Sequence, residues 1–235
     1  MDMDGPSGIS LTANGAVTTI LIDSPKKANA LDLRSMLALN DALRNAYSDP
    51  DCSVLVIKGG GDKYFCSGAD QRESKSAAEA AAFKAALLES LALIAGGPKL
   101  VVSAVRGAAV GVGAMLALAA DRIVMAQDAY LSFPELKIGM PSVLAYDVLR
   151  ESFSESFSLH LLLTGERLGA SEAHVWGLKV CIVQPHELHS YAAVVAANLA
   201  ALHATAVGSL KAGRAELRLH RQRPNATNAF SREVA

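Results

Sequence analysis

The stretch from Leu100 to Gly139 leaves the backbone little choice. Leu100–Val105 (LVVSAV) is apolar and β-branched and reads as a buried strand, and Arg122–Ala126 (RIVMA) reads as a second. Between them the Gly-rich turn Gly111–Val112–Gly113 opens an apolar helix. Strands separated by a helix need a crossover connection, which makes them parallel. The same alternation runs upstream. Ile9–Ala13 and Ala16–Asp23 form a hairpin at Asn14-Gly15, Asp32 caps a helix carrying Met36, Leu37, Leu39 and Leu43, and Val54–Lys58 is a short buried strand. Asp62–Asp70 reads as a loop and Gln71–Ala95 as an Ala-rich helix ending at Gly96-Gly97-Pro98. Beyond Ser142 the pattern is helical (143–149, 153–163, 171–177, 186–203 and 206–218), with Val180–Val183 as a short strand. The polar stretch from Gln222 to Ala235 is expected to be loosely held. The expected class is α/β, with a mostly parallel sheet and a helical C-terminal region.

Bulk properties narrow the function. The 235 residues predict one domain, 51% are hydrophobic and only 5% aromatic, which suits an α/β enzyme better than an aromatic-rich binding module. A net charge of −1 gives no electrostatic case for a nucleic acid or a membrane surface. Cys52, Cys66 and Cys181 lack CxxC spacing, which argues against a disulfide framework or a zinc site and suits the cytoplasm. The acidic start MDMDGPSG does not read as a signal peptide, and the apolar run Gly107–Ala120 is too short to span a bilayer. The histidines at 160, 174, 186, 189, 203 and 220 form no metal-ligand pattern, so no metal is expected.

Two loops of small residues, Ser67-Gly68-Ala69-Asp70 and Val110-Gly111-Val112-Gly113, each lead from a strand toward a helix. The first N–H groups of a helix have no internal acceptor and sit at the positive end of the dipole. Two such groups aimed at one point form an oxyanion hole. Ordinary Gly-rich turns read equally well from the pattern alone. A dinucleotide-binding loop reads poorly, because Leu116 stands where the third glycine of G-x-G-x-x-G is needed.

Four blocks carry a family likeness: Lys27-Ala28-Asn29-Ala30-Leu31, Phe65-Cys66-Ser67-Gly68-Ala69-Asp70, the run GAAVGVGAMLALAADRIV from Gly107, and Phe133-Pro134-Glu135-Leu136-Lys137-Ile138-Gly139. In order and spacing, from Ile9 to about Leu188, they resemble the crotonase superfamily of enoyl-CoA hydratases and isomerases. The resemblance implies a crotonase-like ββα spiral core, here residues 1–185, and a shortened C-terminal helical trimerisation region, 186–235. It also implies a homotrimer or homohexamer acting on acyl-CoA thioesters, with coenzyme A entering as part of the substrate and no separate cofactor. Carried over by position, Ala69 and Val112 supply the oxyanion-hole N–H groups, and Lys26, Lys27, Ala28 and Ala30 line the adenine and phosphate end of CoA. Ser67, Gly68, Asp70, Gly111, Gly113, Met115, Leu136 and Ser142 join the substrate-binding set. Lys26 and Lys27 read equally as a solvated turn.

Hydratases of this family hold water between two glutamates. Glu135 matches one; the other position, twenty residues earlier, is Met115, which cannot move a proton. Glu135 follows Pro134 among Leu131, Phe133, Leu136 and Ile138, where burial would raise its pKa toward a range useful for proton shuttling. A helix-start carboxylate is the plainer alternative. One carboxylate above an enolate suits the 1,3-proton shift of an enoyl-CoA isomerase. Enolate-forming decarboxylation or C–C bond chemistry on CoA or carrier-protein thioesters, weak hydration, and a non-catalytic acyl-CoA-binding role stay open. Ser142 stands where some family isomerases carry an acid, so that variant finds no support here.

Overall fold

The computed structural model describes residues 7–72, 76–140 and 142–222, with side chains to residue 217. β1 (Ile9–Asn14) and β2 (Val17–Ile22) pair antiparallel, Ile9 opposite Ile22 and Asn14 opposite Val17. The turn residues are thus Gly15-Ala16, one position later than Asn14-Gly15. Gly15, at φ +57°, takes the first central position, where a type II′ turn demands glycine. α1 (Leu33–Ser48) follows, with the Asp32 carboxylate accepting from the Ser35 amide as its cap.

From there the chain winds as a repeated ββα unit. β3 (Val54–Gly59), β4 (Tyr64–Cys66) and α2 (Ala77–Gly96) form one turn, and β5 (Leu100–Val105), β6 (Ala108–Val110) and α3 (Val112–Ala119) the next. β7 (Arg122–Ala126) and β8 (Tyr130–Ser132) begin a third, which continues through a 3-10 turn, Glu135–Ile138, into α4 (Val143–Arg150). After α5 (Glu155–Thr164) come β9 (Arg167–Gly169), α6 (Ala170–Val175), β10 (Val180–Val183), α7 (Leu188–Ala200) and α8 (Ala204–Gln222). The longer strands build a six-stranded sheet in the order β1-β2-β3-β5-β7-β10, parallel except for β1. The short ones build a second sheet, β4-β6-β8-β9. The α/β class and the spiral ββα core expected from the sequence are both present.

The core lies between the large sheet and its helices, and includes Ile20, Leu39, Leu55, Val102, Leu116 and Val124, each fully buried. α7 packs on β3, β5 and β7 through Leu188, Ala192 and Ala196. No single helix among the described residues is long and apolar enough to cross a membrane.

Several expectations need correction. Asp62–Asp70 is not all loop, because it contains β4, and β6, β8 and β9 also escape the sequence pattern; each has only three residues, too few for a period to show. α2 begins at Ala77, not Gln71, since Ser76 and Glu79 form a capping box. α7 begins at Leu188, after a 3-10 turn at Pro185–Glu187, and ends at Ala200. Gln222 belongs to α8, and the rest of the polar tail lies outside the described residues.

Candidate active site

The small sheet brings the two small-residue loops together. β4 and β6 run parallel, with Tyr64 beside Ala108 and Cys66 beside Ala109, so the loops after them leave side by side. A Cβ built on Gly68 would lie 3.0 Å from the Val110 carbonyl oxygen and 3.9 Å from the Val112 nitrogen. One built on Gly113 would lie 2.2 Å from the Cys66 carbonyl oxygen. Glycine at these positions therefore sets how closely the loops approach.

Backbone pairing orients both donors. Leu31 bridges Ala69 in parallel fashion, donating to the Gly68 carbonyl at 2.9 Å and accepting from the Asp70 amide at 2.9 Å. In that pattern the intervening Ala69 amide points away from Leu31. Val112 is the first residue of α3, so its N–H has no acceptor within the helix. Both residues line a cavity of about 770 Å³.

Glu135 enters the same cavity from the opposite loop. β8 pairs with β6, Ser132 beside Val110, and the Gly111 amide donates to the Ser132 carbonyl at 2.9 Å. This tie places the 3-10 turn against the head of α3. Gly111 has φ +52° and ψ −114°, a conformation suited to glycine, and an added Cβ would lie 2.8 Å from Glu135 Oε1. Glu135 Oε2 is buried and has no hydrogen-bond partner among the described residues. Burial raises the pKa of this carboxyl, an effect partly offset by its own backbone N–H.

The remaining walls are mostly apolar. Ala80, Phe83 and Leu87 come from α2, Met115 from α3, and Ile138, Met140, Val143 and Leu144 from the 3-10 turn and α4. Ser67, Gln71, Lys84 and Ser142 are the polar side chains besides Glu135. The Ser142 hydroxyl accepts from the Ala145 amide at 3.3 Å and so serves as the cap of α4. Glu135 is the only carboxylate among the described lining residues.

Of the residues expected from the sequence, Ser67, Gly68, Ala69, Gly111, Val112, Met115, Glu135 and Ser142 meet at this cavity, whereas Asp70, Gly113 and Leu136 lie off it. Asp70 is occupied elsewhere. The Arg72 guanidinium grips both its oxygens at 2.9 and 2.7 Å, Lys27 lies 3.4 Å away, and its carboxyl is held well below the usual range. Lys26, Lys27, Ala28 and Ala30 also lie off the cavity, on a neighbouring loop. That loop is tied to the site, since the Ser67 amide donates to the Ala28 carbonyl at 3.1 Å. The buried Asn29 locks it, donating to the Gly60 and Tyr64 carbonyls at 2.9 and 2.8 Å. Sequence reasoning missed the α2 wall. Ala80, Phe83, Lys84 and Leu87 do follow helical spacing, but α2 is rich in Ala and Leu all round, so no face stands out. Among the described residues no cluster of His, Cys, Asp and Glu could hold a metal ion.

The spiral fold agrees with comparison to known proteins. The profile of the enoyl-CoA hydratase/isomerase family matches residues 12–233, and the chain belongs to that family of acyl-CoA enzymes. It is 36% identical over 208 residues to carnitinyl-CoA dehydratase of Salmonella enteritidis, covering 86% of this chain and 78% of that protein. Among solved structures it is similar to an enoyl-CoA hydratase/carnithine racemase from Magnetospirillum magneticum, with a TM-score of 0.82, 26% identity and coverage of 89% and 80%. An enoyl-CoA hydratase from Mycobacterium avium subsp. paratuberculosis gives a TM-score of 0.78 at 28% identity, covering 91% and 83%.

Proposed function

We propose that this chain is an enoyl-CoA isomerase, in which one carboxylate carries out an allylic proton shift. Ala69 and Val112 N–H groups hold the thioester oxygen as it gains negative charge. Glu135 takes the proton from the α-carbon of a 3-enoyl thioester, the double bond moves into conjugation, and the same carboxyl returns the proton to the γ-carbon. Proton and charge balance with no other reactant. The observation that carries this reading is Glu135 itself: a half-buried carboxyl whose Oε2 is unpartnered, the only acid among the described lining residues. Met115 stands where a second acid would hold water, and it is 4% exposed. Lys26, Lys27, Ala28 and Ala30 would meet the CoA nucleotide, and residues 186–235 would support a trimer or hexamer.

The test is turnover of 3-enoyl-CoA by wild type and Glu135→Gln. Loss of a proton-transfer group should lower kcat by about 10²–10⁴. Unchanged turnover would overturn the mechanism. A second reading, β-elimination or hydration, draws on the 36% identity to carnitinyl-CoA dehydratase. It predicts that wild type interconverts 3-hydroxyacyl-CoA and 2-enoyl-CoA at least as fast as it isomerises. On the isomerase reading, Met115→Glu should raise hydration of 2-enoyl-CoA by tenfold or more, since the missing acid would be restored.

A further inference from the structure

Glu135 explains one side of the cavity; the α2 side poses a separate question. The stripe Ala80, Phe83, Leu87 is apolar, as a wall for an acyl chain should be. Lys84 sits within that stripe and is the only cation among the described lining residues, yet it makes no ion pair with any described carboxylate. Gln71, with two amide donors, lines the cavity too. The side chains that α2 turns to this cavity are otherwise apolar, so a lysine among them has a ligand-directed consequence. Glu135, the only carboxylate among the described lining residues, stands at the oxyanion-hole loops, against Gly111. The charges are thus divided: the acid beside the reacting carbons, the cation on the α2 wall.

We propose that Lys84, assisted by Gln71, reads the distal end of the acyl group, and that the preferred substrates are thioesters whose acyl chain ends in a carboxylate. The ammonium supplies charge and donors to that carboxylate, while Phe83 and Leu87 pack on the methylenes leading to it. A distal carboxylate avoids Glu135, whereas one on the α-carbon would meet it. A quaternary ammonium, such as the carnitinyl group carries, meets a charge of the wrong sign. It also finds only Phe83 as an aromatic face among the described lining residues, against the several rings such cations favour. Substrate choice would therefore differ from that of the carnitinyl-CoA dehydratase within a shared family.

This inference rests on the acyl-CoA site above, and binding separates it from catalysis. Isothermal titration would compare saturated thioesters matched in length: glutaryl-CoA with pentanoyl-CoA, and adipyl-CoA with hexanoyl-CoA. Wild type should bind at least one dicarboxylic member roughly tenfold more tightly than its neutral partner, the size of one hydrogen bond to a charged group. Lys84→Met should bring that ratio to about one while leaving the neutral thioester within about twofold. Lys84 is exposed, so the substitution leaves the core intact. The proposal is overturned if neutral thioesters bind as tightly as dicarboxylic ones in wild type. It is also overturned if Lys84→Met weakens both members equally, which would make Lys84 a contact for the CoA moiety. If no thioester binds, the site assignment fails and this inference with it; a lost preference with binding retained sinks the inference alone.

Discussion

Glu135 and Gly111 form one unit. The carboxyl is half-buried against a turn whose φ of +52° favours glycine, and its raised pKa follows from desolvation. A base of this kind works only when ionised. The acid limb of kcat/KM should therefore lie above the ordinary glutamate value of 4.5 and be absent from any residual activity of Glu135→Gln. The stability effect has the opposite sign. A carboxyl whose folded pKa is raised contributes stability at low pH that is lost as pH rises through the folded value. Glu135→Gln should thus match wild type near pH 4 and gain about 1 kcal/mol, or ~2–4 °C in Tm, at neutral pH by calorimetry. Gly111→Ala should do harm on both counts, with activity down by about 10² or more and stability down by roughly 1–3 kcal/mol in urea titration.

At the scale of elements, the site depends on how loops are tied. Asn29 sits at φ +56°, follows Ala28 at φ +52°, and connects Ser24, Gly60 and Tyr64 through its side chain. Asn29→Ala removes those three hydrogen bonds and leaves part-buried backbone groups unpaired. Denaturant titration should show a loss of about 2–4 kcal/mol. The Ala28–Ser67 tie should loosen with it, raising KM for acyl-CoA more than it lowers kcat. The Asp32 cap of α1 and the long parallel strands were legible from the residues, because capping chemistry and apolar runs are local signals. The three-residue strands of the small sheet were not, since their pairing partners lie far away in sequence.

Across the whole molecule, the C-terminal helix is anchored by charge. Lys211, fully buried in α8, donates to Asp121 at 2.5 Å and to the Ile94 carbonyl at 3.0 Å, and Arg214 reaches the other Asp121 oxygen at 3.1 Å. Asp121 also accepts from the Val101 amide at 2.9 Å, so α8 is tied to β5 and to the α3–β7 junction. Removing one partner of a buried pair costs about 3–5 kcal/mol. Lys211→Met should lower the thermal midpoint by roughly 10 °C. The family and the α/β class were readable in the residues, and Glu135 could be picked out as a candidate, because glycines, short capping motifs and the twenty-residue offset from Met115 to Glu135 are properties of the chain itself. Which groups share a cavity was decided only by the tertiary structure. Asp70 sits one residue from Ala69 yet is held by Arg72, and Lys84, distant in sequence from Glu135, lines the same space. The reason is physical: the direction in which a side chain leaves a loop, and which elements pack to close a cavity, depend on contacts made across the small sheet and α2, and sequence spacing does not encode them.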